Sequence, residues 1–312
     1  MKKIKLTLLS IIAAAFLIVS CTKEDQKNIV DLAKDNPNLS SLVAAIQRAG
    51  LVDALSASGN FTVFAPTNAA FSAFLSANGF ANLDSVPVPL LQKVLLNHVL
   101  GTKKMAADIT TGYVKTIGKY GSTDSYIDMY LSKTTGVKIN GESNVTTADV
   151  EASNGVVHVV DKVIALPTVV TFATADPTFS TLVAAVTDSR IASAGLPAAL
   201  SGEGPYTVFA PTNAAFTSLL TELSASGLGD ISPATLEAVL KYHVVSGNIL
   251  AGDLTDEQVV SPLLGSSTFT IDLTGGAKIK DASSRTSNII VTDVQANNGV
   301  VHVIDKVILP AL

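Results

Sequence analysis

The chain has a single cysteine and no tryptophan, and aromatic residues make up only 5% of its 312 positions. One thiol cannot close an intramolecular disulfide, so packing alone must hold the fold. So few aromatics argue against a stacking platform for single-stranded nucleic acid. Charge is also sparse at 15%, and with 47% apolar residues this describes packed globular domains, not a disordered chain. There is no basic stripe: 21 Lys and Arg face 26 Asp and Glu, for a net charge of −5, which excludes nucleic acid as an expected partner. Mean hydropathy is +0.42, yet beyond residue 20 no apolar run reaches the ~20 residues of a spanning helix. Catalytic signatures are missing as well. The sequence has no His-Glu-x-x-His, Cys/His cluster or EF-hand loop, no Gly-x-Ser-x-Gly elbow and no phosphate loop. We therefore expect no enzyme, no metal and no cofactor.

What is present starts at the N-terminus. Lys2, Lys3 and Lys5 precede Leu6 to Ser20, a mostly apolar run too short to span a bilayer; this is the charged and apolar pattern of a signal peptide. The run ends Leu17-Ile18-Val19-Ser20-Cys21, which resembles a bacterial lipobox. The resemblance implies cleavage before Cys21 and acylation at Cys21. Stable anchoring takes two or more chains, each buried CH₂ contributing roughly 0.8 kcal/mol. Cleavage leaves 18 basic residues against the same 26 acidic ones, a net charge of −8. Thr22-Lys23-Glu24-Asp25 resembles the surface-export signal of Bacteroidota lipoproteins. It implies an outer-membrane lipoprotein exposed on the cell surface, with residues 1–20 as leader and 21–26 as tether.

The remainder is a duplication. Tyr206-Thr-Val-Phe-Ala-Pro-Thr-Asn-Ala-Ala-Phe216 repeats Phe61 to Phe71 with one aromatic exchange. Asn298-Gly-Val-Val-His-Val-Ile-Asp-Lys-Val-Ile308 repeats Asn154 to Ile164, and Pro177 to Val186 echoes Pro37 to Ile46. The offsets of 145, 144 and 140 residues are far longer than a solenoid unit, so two whole domains are expected, 27–166 and 167–312. The offsets also place about five extra residues in the second copy between Arg190 and Tyr206, where a surface loop tolerates them. Leu166-Pro167 runs almost directly into the helical pattern at Thr168, so the domains should abut with restricted relative motion.

Each copy reads as helices followed by strands. Leu39, Leu42, Val43 and Ile46 form one helical face, repeated by Phe179, Leu182, Val183 and Val186. Phe61 to Phe64 reads as a buried strand ended by Ala65-Pro66, after which Thr67 or Asn68 can cap a helix. A later helix ends at His98, and its counterpart at His243. Val145 to Ala152 and Val156 to Val163 flank Asn154-Gly155, a hairpin signal. Helices first and mostly antiparallel strands later give an α+β class.

Together these blocks resemble fasciclin domains, twice in order over about residues 27 to 312. The resemblance implies two tandem β-wedges or sandwiches with helices packed alongside, and a secreted or membrane-anchored protein engaged in adhesion. In animal relatives a Tyr-His pair is associated with integrin recognition. Tyr242-His243 matches it as a candidate ligand contact, while Asn97-His98 departs from it. The histidines fall as two repeated pairs without metal spacing. His158 and His302 sit in apolar strands, where a buried imidazole donates to a backbone carbonyl; Asp161 and Asp305 stand where they can orient it or pair with Lys162 and Lys306. His98 and His243 end helices, where a cationic ring would suit the dipole. Two functions stay open. One is a lipid-anchored adhesion protein binding an extracellular polysaccharide or protein; the other is an accessory envelope lipoprotein docked on a membrane assembly.

Overall fold

A computed structural model of the chain describes residues 26–311. Cys21 and the leader before it lie outside the described residues. In the first half, α1 (Ile29–Asp35), α2 (Ser40–Arg48) and α3 (Val52–Ser56) precede β1 (Phe61–Pro66). Then come α4 (Asn68–Ala77), α5 (Val88–Leu96), β2 (Val99–Leu100), β3 (Gly112–Lys119), β4 (Tyr126–Lys133), β5 (Val137–Ile139), β6 (Ser143–Ala152) and β7 (Gly155–Val160). The second half repeats the order with α6 (Val169–Ala175), α7 (Ser180–Val186), α8 (Leu196–Ser201), β8 (Tyr206–Pro211), α9 (Asn213–Glu222) and α10 (Pro233–Tyr242). Its strands continue as β9 (Val244–Ser246), β10 (Val259–Val260), β11 (Phe269–Asp272), β12 (Lys278–Lys280), β13 (Thr286–Ala296) and β14 (Gly299–Ile304).

Each half builds a seven-stranded sheet, in the orders β2-β1-β7-β6-β5-β4-β3 and β10-β11-β12-β13-β14-β8-β9. The α+β class therefore holds. One pairing departs from the antiparallel rule: β1 runs parallel to β7, and β8 parallel to β14. This parallel register explains the Asn-Gly pairs. A Cβ on Gly155 would overlap the carbonyl oxygen of Phe61, and one on Gly299 that of Tyr206. Both glycines also take positive φ, 159° and 153°. Only glycine lets the entering strand come this close.

The sheets carry apolar side chains on both faces. In the first domain Leu42, Ile46, Phe71 and Leu91 pack between helices and sheet. Phe64, Met129, Leu131 and Ile139 fill the opposite side. The Pro-Thr-Asn corner divides its labour. Thr67 Oγ1 caps α4 by accepting from Ala70 N (3.2 Å). Asn68 instead reaches back to the α2 entry, accepting from Ser41 N (2.8 Å) and donating to Pro37 O (2.9 Å). Thr212 and Asn213 repeat both roles.

The expected hairpin is present, but Asn154 has a larger task than turning the chain. Buried beneath α1, its Oδ1 accepts from Ile29 N (3.0 Å) while its Nδ2 donates to Leu55 O (2.8 Å) and Ala57 O (2.9 Å). Asn298 does the same for Val169, Leu200 and Gly202. One amide on the hairpin thus satisfies the start of the first helix and the end of the third together.

The two halves meet through side chains, not a linker. Tyr113 packs edge-on against Phe172 of the other half at 5.4 Å, and its hydroxyl donates to Asp176 (3.1 Å). Asp128, 4% exposed, accepts from Gln295 N across the seam (2.7 Å) and from Lys115 (3.0 Å).

Candidate functional site

The histidines are architectural. His158 is fully buried, its Nε2 donating to Lys104 O (2.9 Å) and its Nδ1 accepting from Asp149 N (3.1 Å). Asp149 sits at φ 61° in an irregular stretch of β6, and its carboxylate accepts from Ala106 N (2.7 Å). Asp161 neither orients His158 nor pairs with Lys162. It grips Asn144 on the next strand through Asn144 N (2.7 Å) and Nδ2 (2.8 Å), and Asp305 grips Asn288 in the same way. His98 uses the opposite tautomer: Nδ1 donates to Val94 O (2.7 Å) and Nε2 accepts from Ile164 N (2.8 Å).

A charged ring at the helix ends is thereby ruled out. Burial pulls His98 and His243 down from 6.5 to about 4, and a proton on Nε2 would face the N–H that it now accepts. Burial also lowers His302. Among the described residues no group of three His, Cys, Asp or Glu is placed to hold a metal ion.

Tyr242 and His243 do not reach the surface either. Tyr242 is 0% exposed and His243 2%, so neither ring is offered to a ligand in the way expected. The α10 periodicity that puts Leu236, Val239 and Leu240 in the core carries Tyr242 inward as well. Its ring packs edge-on against Phe269. Its hydroxyl donates to Thr268 O (2.7 Å) and accepts from Ala282 N (3.1 Å), and burial raises its pKa.

Those two bonds point to the surface that Tyr242 serves indirectly. Thr268 and Ala282 belong to opposite walls of a groove of about 730 Å³, formed where the chain enters β11 and where it turns from β12 to β13. Ser266, Thr268, Thr270, Ser284 and Lys280 line it. Asp281 fixes the second wall, accepting from Ser283 N (3.0 Å), Arg285 N (2.8 Å) and Leu309 N (2.8 Å). The groove offers hydroxyls, backbone groups and one ammonium. It suits hydrogen bonding to a polyhydroxylated or peptide ligand, with no imidazole along its lining to activate a nucleophile. Sequence reasoning reached Tyr242 but missed these residues, because serines and threonines in turns have no diagnostic spacing.

The comparisons agree with the fold. The fasciclin domain family matches residues 37–167 and 177–310. Protein sll1483 of Synechocystis is 43% identical over 151 residues, 48% of this chain and 80% of that protein. Transforming growth factor-beta-induced protein ig-h3 of Sus scrofa is 30% identical over 254 residues; the match covers 81% of this chain but 35% of that relative, so this chain corresponds to about a third of its length. Among solved structures, a FAS1 domain pair from the insect cell adhesion molecule Fasciclin I aligns with a TM-score of 0.53 at 18% identity, over 89% of this chain and 98% of that one. With both halves matched and the paired architecture shared, the chain belongs to the fasciclin family as a tandem of two fasciclin domains.

Proposed function

We propose that the chain is a lipid-anchored adhesion protein of the cell envelope, held to the outer membrane through Cys21 and presenting its two fasciclin domains to an extracellular polysaccharide or protein. The observation that carries this reading is the fasciclin pair joined through buried hydrogen bonds, a pairing also found in an insect cell adhesion molecule. Two sites fixed in one body raise the effective concentration of the second binding event without new contacts. The hydroxyl-lined groove of the second domain is a surface suited to such a ligand.

Two experiments test it. Fractionation of cells expressing Cys21→Ser should move the protein out of the membrane, and protease shaving of intact cells should remove the parent protein. The purified protein should bind at least one member of a panel of glycans and matrix proteins. A folded protein that binds none of them overturns the adhesive function.

A further inference from the structure

We infer that the first domain carries a separate basic groove that binds the carboxylate-bearing sugars of an acidic polysaccharide; this rests on the adhesive reading and names its ligand class. The groove has a volume of about 750 Å³ between α5 and β3, lined by Lys93, Lys115, Lys119, Tyr126 and Gln92 over a floor that includes Ile117. The three lysines differ. Lys115 is neutralised by buried Asp128 at 3.0 Å. Lys93 has no ion-pair partner among the described residues. Lys119 pairs at 2.8 Å with Asp124, which is fully exposed, and lies 5.8 Å from the centre of the Tyr126 ring. An exposed pair of this kind is weakened by solvent screening, so an incoming carboxylate can displace Asp124. Tyr126 is 40% exposed. The Lys119 ammonium already sits over the Tyr126 ring, so the aromatic side chain holds the cation in the groove where an incoming carboxylate can meet it.

The fold does not demand these residues. Val114 pairs with Met129, as Val260 pairs with Phe269, so Lys115 corresponds to Ser261, and β10 ends at Val260 before any paired counterpart of Lys119. On the helix Lys93 corresponds to Ala238. The second domain keeps the architecture without the lysines. An extended peptide is the weaker occupant. The β3 ladder is interrupted between Lys115 and Lys119, and Gly118 N already donates to Thr116 Oγ1 (3.1 Å), so a strand adding to this edge meets a broken register.

The test is calorimetric titration of the purified protein with oligogalacturonate, its methyl ester and poly-glutamate. Oligogalacturonate should bind, weaken as salt is raised, and lose roughly tenfold or more in affinity in a Lys93→Ala/Lys119→Ala variant. Tyr126→Ala should weaken it too, and Lys138→Ala should not. All four side chains are exposed, so melting temperatures should stay at the parent value. Equal binding of the methyl ester, unchanged affinity in the double variant, or a preference for poly-glutamate overturns the site. None of these touches the broader adhesive function, which falls only if the whole panel is silent.

Discussion

Buried imidazoles make the stability of this protein depend on pH. His98 and His243 have folded-state values near 4 against 6.5 when exposed. Between those limits the unfolded chain binds protons that the folded chain refuses. Their stabilising contribution is therefore complete above pH 6.5 and is lost as pH falls toward 4, by about 1.4 kcal/mol per pH unit for each ring. Urea unfolding at pH 7 and pH 4.5 should show the loss, and His98→Gln should show a shallower slope. At the same scale, Gly155→Ala should cost at least about 3 kcal/mol or prevent folding, because a methyl group there meets the Phe61 carbonyl and needs a strained φ. A melting temperature near that of the parent would contradict the close approach of β1 to β7.

Among the elements, the tie between the hairpin and the first helix is the least obvious and the most exposed to mutation. Asn154→Ala leaves Ile29 N and two carbonyls unpaired, at about 1–3 kcal/mol for a buried orphan group. Hydrogen exchange should quicken at the start of α1 before it does in β4. Tyr242→Phe removes the hydroxyl that bridges the two groove walls and should cost about 1–2 kcal/mol. The fold should survive it, while amides of 265–268 and 281–284 exchange faster. A ligand of this groove should then bind more weakly although it never touches Tyr242.

For the whole molecule, the seam decides whether two domains act as one body. Burial pushes the Asp128 carboxyl up, against the opposing pull of Gln295 N–H and Lys115. Asp128→Asn keeps an acceptor for Gln295 and should preserve the interface. Asp128→Ala orphans that N–H and should broaden the distribution of domain separations in small-angle scattering, where the parent is expected to be narrow. A broad distribution in the parent would show that the seam does not hold in solution.

The sequence by itself determined the duplication, the order of helices and strands, and the helical faces at Leu42, Ile46 and Leu182, because apolar periodicity is a local property. It also read the inward His158 and a cap at Thr67 or Asn68, which the structure assigns to Thr67. Only the tertiary structure decided where Asn154, Asn68 and Asp161 send their hydrogen bonds, since each partner lies at least 17 residues away. The same holds for Tyr242. A helix terminus reads as exposed until distant strands fold over it, and burial then turns an expected contact residue into a support for the groove above it.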